Sequence, residues 1–163
     1  MDAEEKKEMA KIAYKQAYDY DISFGCCPQC VLAAVQDVLD EDVISDDVIK
    51  AAHALAGGGG LLVDGTCGAI SGGLMAIGAL YGREREQFGK FRSMKSYVLG
   101  KKLITKFRKE YGGITCKHIQ EKYTGRTWDM WDINEYKQFS STTCKKECAI
   151  LSAKVASWIV EML

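Results

Sequence analysis

The sequence predicts an all-α fold, a single compact domain of six or seven helices over residues 1–163 with cysteines at helix N-termini. Three observations carry that expectation. Apolar residues recur at three- and four-residue spacing in the long segments, and no stretch shows a convincing strand alternation. Only one proline occurs in 163 residues, so little interrupts a helix. Four of the seven cysteines stand at helix-start signals. Thr66-Cys67, Thr115-Cys116 and Thr143-Cys144 repeat one dipeptide, and Cys27 precedes Pro28. Thr is a good N-cap, and Pro is tolerated in the first turn.

The elements follow in order. Met9, Ile12, Ala13, Ala17 and Tyr20 space a first helix over residues 3–20, and a loop over residues 21–27 ends at Pro28. Val31, Leu32, Val35, Val38 and Leu39 form the inward face of a second helix. Ser45 with Asp46 and Asp47 opens a third, to about Ala56, which Gly57-Gly58-Gly59-Gly60 ends. A fourth runs from near Thr66 to Tyr81 and is crowded with small residues, including Gly68, Gly72, Gly73 and Gly78. Each glycine costs a helix roughly 1 kcal/mol relative to Ala. Close approach of another backbone or of a bulky cofactor is the expected compensation. A fifth helix covers about Phe91 to Tyr111 and stops at Gly112-Gly113. A short helix follows Thr115. Residues 124–141 read as a polar, aromatic loop with Trp128, Trp131, Tyr136 and Phe139, and a last helix runs from Thr143 to the end.

Composition bounds the function. Hydrophobic residues make up 47% of the chain, enough for a sizeable core. No apolar run is long enough to span a membrane, and no secretion signal follows Met1, so a cytoplasmic location without membrane association is expected. In that compartment clustered cysteines bind metal or do redox work more often than they form lasting disulfides. Net charge is zero but divided: residues 1–82 carry 5 basic and 13 acidic side chains, and residues 83–163 carry 17 and 9. The two halves neutralise each other on folding. Lys101, Lys102, Lys106, Arg108 and Lys109 then read as a solvated helix face, and no nucleic-acid partner is expected.

The cysteines carry the chemistry. Helix N-termini present unpaired N–H groups and partial positive charge, which suit thiolates or an anionic cluster. Cys27, Cys67, Cys116 and Cys144 are separated by 40, 49 and 28 positions, too scattered for zinc knuckles and better suited to a site between packed helices. They are the expected cofactor and metal ligands, with Cys26, Cys30 and Cys148 as alternates. An iron–sulfur cluster needs only four such thiolates in a pocket; zinc, or no cofactor, is the alternative. Cys27-Pro28-Gln29-Cys30 is also a CxxC, open to thiol–disulfide chemistry, although the βαβ context of a thioredoxin is absent. Cys144 and Cys148, four apart, face the same way. Cys30 and Cys148 read equally well as small buried hydrophobes. The glycine run lacks a P-loop ending and reads as a turn. His53 and His118, the only histidines, read first as ordinary polar side chains, and Trp128 and Trp131 as packing residues rather than a cofactor stack. No catalytic residue emerges.

The spread Cys27…Cys67-Gly68-Ala69-Ile70-Ser71-Gly72…Cys116…Cys144 resembles the bacterial redox-active proteins named for their C_GCAxxG_C_C pattern. The order here is Cys-Gly-Ala rather than Gly-Cys-Ala, and Cys30 stands where the family has an alanine. The resemblance covers roughly residues 20–163 and implies redox activity without a known substrate. Three functions remain open: an iron–sulfur electron-transfer protein or redox subunit in anaerobic metabolism, served by a redox partner protein; a thiol–disulfide oxidoreductase using Cys27 and Cys30; and a zinc-stabilised interaction module. A homodimer packed through the small-residue face of residues 68–79 is also expected.

Overall fold

The computed structural model describes residues 2–39, 43–90 and 92–163. Eight α-helices occur among them: α1 (Ala3–Phe24), α2 (Cys27–Val38), α3 (Asp46–Ala51), α4 (Gly68–Tyr81), α5 (Met94–Tyr111), α6 (Cys116–Thr124), α7 (Ile133–Ser140) and α8 (Thr143–Met162). No strand is found among the described residues; Thr66 and Thr115 form an isolated antiparallel bridge. No helix of the described residues is long and apolar enough to cross a membrane.

The all-α expectation holds, but the helix count rises to eight. The added helix is α7, inside the stretch read as a loop. Asp132 caps it by accepting from Asn134 N–H and Glu135 N–H. Eight residues are too few for a periodic apolar signal, so the cap does what the pattern cannot announce. Two boundaries move as well. The first helix continues four residues further, to Phe24, and ends at Gly25 with φ 68°. The third stops at Ala51 and passes into a 3-10 segment, His53–Gly58, with a kink at Ala56 and Gly57. Phe91, the expected start of the fifth helix, lies outside the described residues.

Helices α1 and α8 come close because both present small residues: Ala10, Ala13 and Ala17 on one, Ala149, Ala153 and Ala156 on the other, all buried. The larger side chains of the core, Leu32, Ile70, Leu103, Phe107, Leu151 and Ile159, are fully buried around this seam. Trp128 is half-buried against α6, whereas Trp131, expected to pack, is 70% exposed and is tied down by its indole N–H. Trp128 Nε1 donates to Thr124 Oγ1 at 3.0 Å, and Trp131 Nε1 donates to the Gly60 carbonyl at 2.9 Å.

The glycines of α4 are used within the chain. A Cβ on Gly72 would stand 2.5 Å from the Pro28 carbonyl oxygen and 2.8 Å from its Cα; one on Gly68 would stand 2.8 Å from Pro28 Cδ and 3.3 Å from Cys27 Cβ. The start of α4 therefore lies backbone to backbone on the start of α2, which sets Cys67 beside Cys27. Gly73 is filled on the other side by Val155 and Leu103. Within the face expected to pair two protomers, Gly68, Gly72 and Gly73 are thus occupied by the chain itself, whereas Gly78 and Ala79 are exposed.

A cavity lined by thiols

Asp21 is buried at 4% exposure, on the same face of α1 as Ala10, Ala13 and Ala17. It stands at the rim of a cavity of about 150 Å³ lined by Cys26, Cys27, Cys67, Cys116 and Cys148. Leu61, Met130, Tyr136 and Phe139 close the cavity from the loop side. Cys144 does not line it. That thiol is fully buried behind the wall, and the Cys148 S–H donates to its sulfur. The structure thus brings three of the four expected ligands into one cavity, with Cys144 one hydrogen bond away and Cys148 in front of it.

Cys27, Cys67, Cys116 and Cys144 each stand at a helix start, but the starts are built differently. Cys67 is itself the N-cap of α4, not Thr66 as the dipeptide suggests. The N–H groups of Ala69 and Ile70 face its sulfur without closing a cap hydrogen bond. Cys116 opens α6, where Thr115 Oγ1 caps His118 N–H at 3.1 Å. Cys144 is the second residue of α8, capped by Thr142 rather than Thr143. Cys27 opens α2 after Cys26, whose φ is 64°.

The glycine loop is a clamp. Its Val63 carbonyl accepts from Lys117 N–H at 2.7 Å, and the Gly65 carbonyl accepts from Cys116 N–H at 3.0 Å. The first three N–H groups of α6 are therefore already satisfied by protein, so this helix end does not offer them to a ligand. Leu61 and Val63 both adopt φ 60°, an uncommon conformation for non-glycine residues and a strained one for β-branched Val63. The clamp holds them there.

Electrostatics set the thiols apart from ordinary cysteines. Burial pushes Cys27 well above its ordinary value, and neighbouring Asp21, Cys67 and Cys116 push further. Burial raises Cys67 to about 11, with the α4 N–H groups pulling back. Burial raises Cys116 to about 12, helped by Cys67 and Cys144. Cys144 moves down because the Cys148 S–H donates to it, and Cys148 moves up for the same reason. Burial also raises Asp21, against the donors Ser152 Oγ, at 2.5 Å, and the Cys27 thiol. The cavity thus gathers thiols in a low-dielectric setting with little cationic support beyond exposed Lys145.

Two cavity residues escaped the sequence reading. Asp21 falls where a loop was expected, yet positions 10, 13, 17 and 21 continue one helical stripe, and that spacing could have found it. Gln120 is 1% exposed and lines the cavity. Its Oε1 accepts from Trp128 N–H at 2.9 Å, while its Nε2 has no partner among the described residues. No sequence signal distinguishes it.

The histidines stand outside the cavity. His118 Nε2 donates to the Tyr111 carbonyl at 2.9 Å, with its ring against Gly113. His53 lies beside Cys26 and Gln29. The CxxC also divides. Cys27 faces the thiol cavity, while Cys30 donates to the Gly25 carbonyl at 2.9 Å and lines a groove on the other side with Cys26.

The arrangement defines a class: an all-helical protein built round a buried, cysteine-lined cavity. The chain belongs to the family described as "Putative redox-active protein (C_GCAxxG_C_C)", whose model matches residues 25–162. No curated protein and no solved structure matches the chain.

Proposed function

We propose that the cavity holds an iron–sulfur cluster on Cys27, Cys67, Cys116 and Cys144, and that the protein passes electrons to a redox partner protein in cytoplasmic, anaerobic metabolism. The observation that carries this reading is the convergence of thiols from three helix starts, Cys67 buried and Cys27 and Cys116 half-buried, on one cavity. Such thiols are costly as isolated thiolates, and bound iron offsets that cost by replacing their protons. The donor set is soft, which suits iron–sulfur clusters or zinc. Among the described residues no three His, Cys, Asp or Glu side chains surround one point as single-ion ligands. A cluster spreads its cysteines over several irons and so does not require a single-ion site. Gln120 Nε2 adds an unsatisfied donor in the wall, and a cluster sulfide would accept from it. When bound, the cluster supplies one-electron chemistry. The chain's own residues bind it, exclude water and, through Asp21, hold a proton at the Cys27 thiol in the empty site.

Cys148 is the thiol that would replace Cys144, since it lines the cavity directly. A homodimer on this face would use its exposed end at Gly78 and Ala79, since Gly68, Gly72 and Gly73 are covered. Iron and acid-labile sulfide per chain, measured in the parent and in all seven single Cys→Ser variants after anaerobic purification, tests the reading. Sharp loss is expected for Cys27, Cys67 and Cys116. Full retention in Cys67→Ser or Cys116→Ser overturns it, because neither has a cysteine within a helical turn to replace it.

A further inference from the structure

The Gly25–Cys26 corner lines two cavities at once. On the side away from the closed one, Tyr20, Phe24, Cys26, Gln29, Ile49 and His53 line an open groove of about 330 Å³, and Cys30 reaches it from the first turn of α2. We propose that Cys26 and Cys30 are a dithiol that reduces small organic disulfides entering this groove.

The two thiols differ as attacking and resolving thiols must. Cys26 is half-buried at the groove, and Cys30 lies beneath it at 4% exposure. They are one helical turn apart, joined by Cys30 N–H donating to the Cys26 carbonyl at 3.2 Å. Cys30 Sγ is held on the Gly25 carbonyl. A disulfide needs its Cβ atoms about 3.8 Å apart, closer than the ~5–6 Å of helical neighbours. Cys26 lies before the helix, on a joint where Gly25 and Cys26 have φ 68° and 64°. That joint, rather than the helix, is where the chain can close the gap.

A third group faces the attacking sulfur. Gln29 Nε2 donates to the Ile49 carbonyl at 3.0 Å, so its Oε1 turns to His53 Nδ1, at 2.9 Å. That contact assigns the imidazole proton to Nδ1. The same Nδ1 stands 3.7 Å from Cys26 Sγ, whose S–H is given to the His53 carbonyl at 3.7 Å, so the one N–H held on Gln29 is also within reach to be shared with a developing thiolate. The groove's volume falls at the small-molecule end of binding sites, and Phe24, 79% exposed, gives it an apolar rim.

The exchange balances. The Cys26 thiolate attacks one sulfur of the disulfide, forms a mixed disulfide and releases the first thiolate. Cys30 loses its proton and attacks the Cys26 sulfur, and the second thiolate leaves. The disulfide gains two electrons and the protons of Cys26 and Cys30, and a Cys26–Cys30 bond forms. Dithiothreitol, added before the assay and removed from the protein, supplies the reduced dithiol at the start. None of the four proposed cluster ligands takes part, so the outcome is read separately from the cluster.

The test uses the full chain, purified anaerobically, with bis(2-hydroxyethyl) disulfide as substrate. Released 2-mercaptoethanol, chain mass and iron are followed. The parent should release two thiols per chain and become lighter by two hydrogens. Cys30→Ser should stop after one, with the adduct located on Cys26 by fragment sequencing. Cys26→Ser should release none on that timescale. His53→Ala, an exposed site that should not disturb folding, should slow the first release about tenfold. Iron content should not change in Cys30→Ser or His53→Ala, neither of which lines the thiol cavity. A Cys26→Ser variant as fast as the parent, an adduct on another cysteine, or loss of iron in Cys30→Ser overturns the proposal.

Discussion

The closed cavity and the open groove share a wall yet treat their cysteines in opposite ways. In the cavity, Cys27, Cys67 and Cys116 are held among each other and beside buried Asp21, with no histidine at hand. In the groove, Cys26 is half-buried, has an oriented imidazole at 3.7 Å and a second thiol one turn below. Clustered thiols whose nearby polar partner is a buried carboxyl suit a resident cation or cluster. A reachable thiol with an N–H donor and a neighbour suits exchange. The difference teaches that adjacency in sequence says little about chemistry here: Cys26 and Cys27 are bonded neighbours that both line the cavity, yet only Cys26 also opens on the groove.

The largest expected break in that contrast is Cys67→Ser or Cys116→Ser. Either should cost most of the bound iron and sulfide while leaving disulfide exchange at the groove intact. Anaerobic absorbance and iron assay on the same sample check both halves.

Next comes Gly72→Ala. The added Cβ meets Pro28 backbone at 2.5 Å, and neither helix start can yield without moving Cys27 from Cys67. Overpacking of this kind costs roughly 1–3 kcal/mol. A fall in Tm of about 3–10 °C, together with reduced iron, is expected from calorimetry and metal analysis. Gly78→Ala, where a Cβ meets nothing within 4 Å, is the control: it should leave iron unchanged and, as a better helix former, should raise Tm rather than lower it.

The third prediction concerns pH in protein stripped of metal. Cys67 and Cys116 are raised from the ordinary 9.0 to about 11 and about 12 by burial. Between those limits the folded chain binds more protons than the unfolded one, so stability falls as pH rises. Their contribution is fully present below about pH 9 and is lost as pH climbs towards 12. Denaturant midpoints across that window should decline. In loaded protein the thiolates carry metal instead of protons, and the decline should flatten.

The smallest effect belongs to Gln120. Gln120→Met removes the unpartnered Nε2 donor and nearly preserves volume. Iron content should stay close to that of the parent, whereas the reduction potential should fall, since a donor to the cluster favours its more negative, reduced state. Voltammetry of the two proteins reads this directly.

Local physics made much of this protein legible from its residues. Apolar spacing of three and four marked the long helices, because a helix buries one stripe whatever its neighbours are. The glycines of α4 announced a close backbone approach, and Cys67-Gly68-Ala69 marked the family. Asp21 was legible too, as the fourth position of an alanine stripe, once the helix was allowed to reach Phe24. What remained hidden depended on packing between distant segments. Whether the glycines met a second protomer or Pro28 was decided by how α2 crosses α4. Cys144 and Cys148 share a helix face, and only the approach of α2 and α6 put Cys148 at the cavity and Cys144 behind it. Cys26 and Cys27 parted because a left-handed residue turns the chain just before α2 begins, an angle that tertiary contacts impose and that the dipeptide itself does not encode.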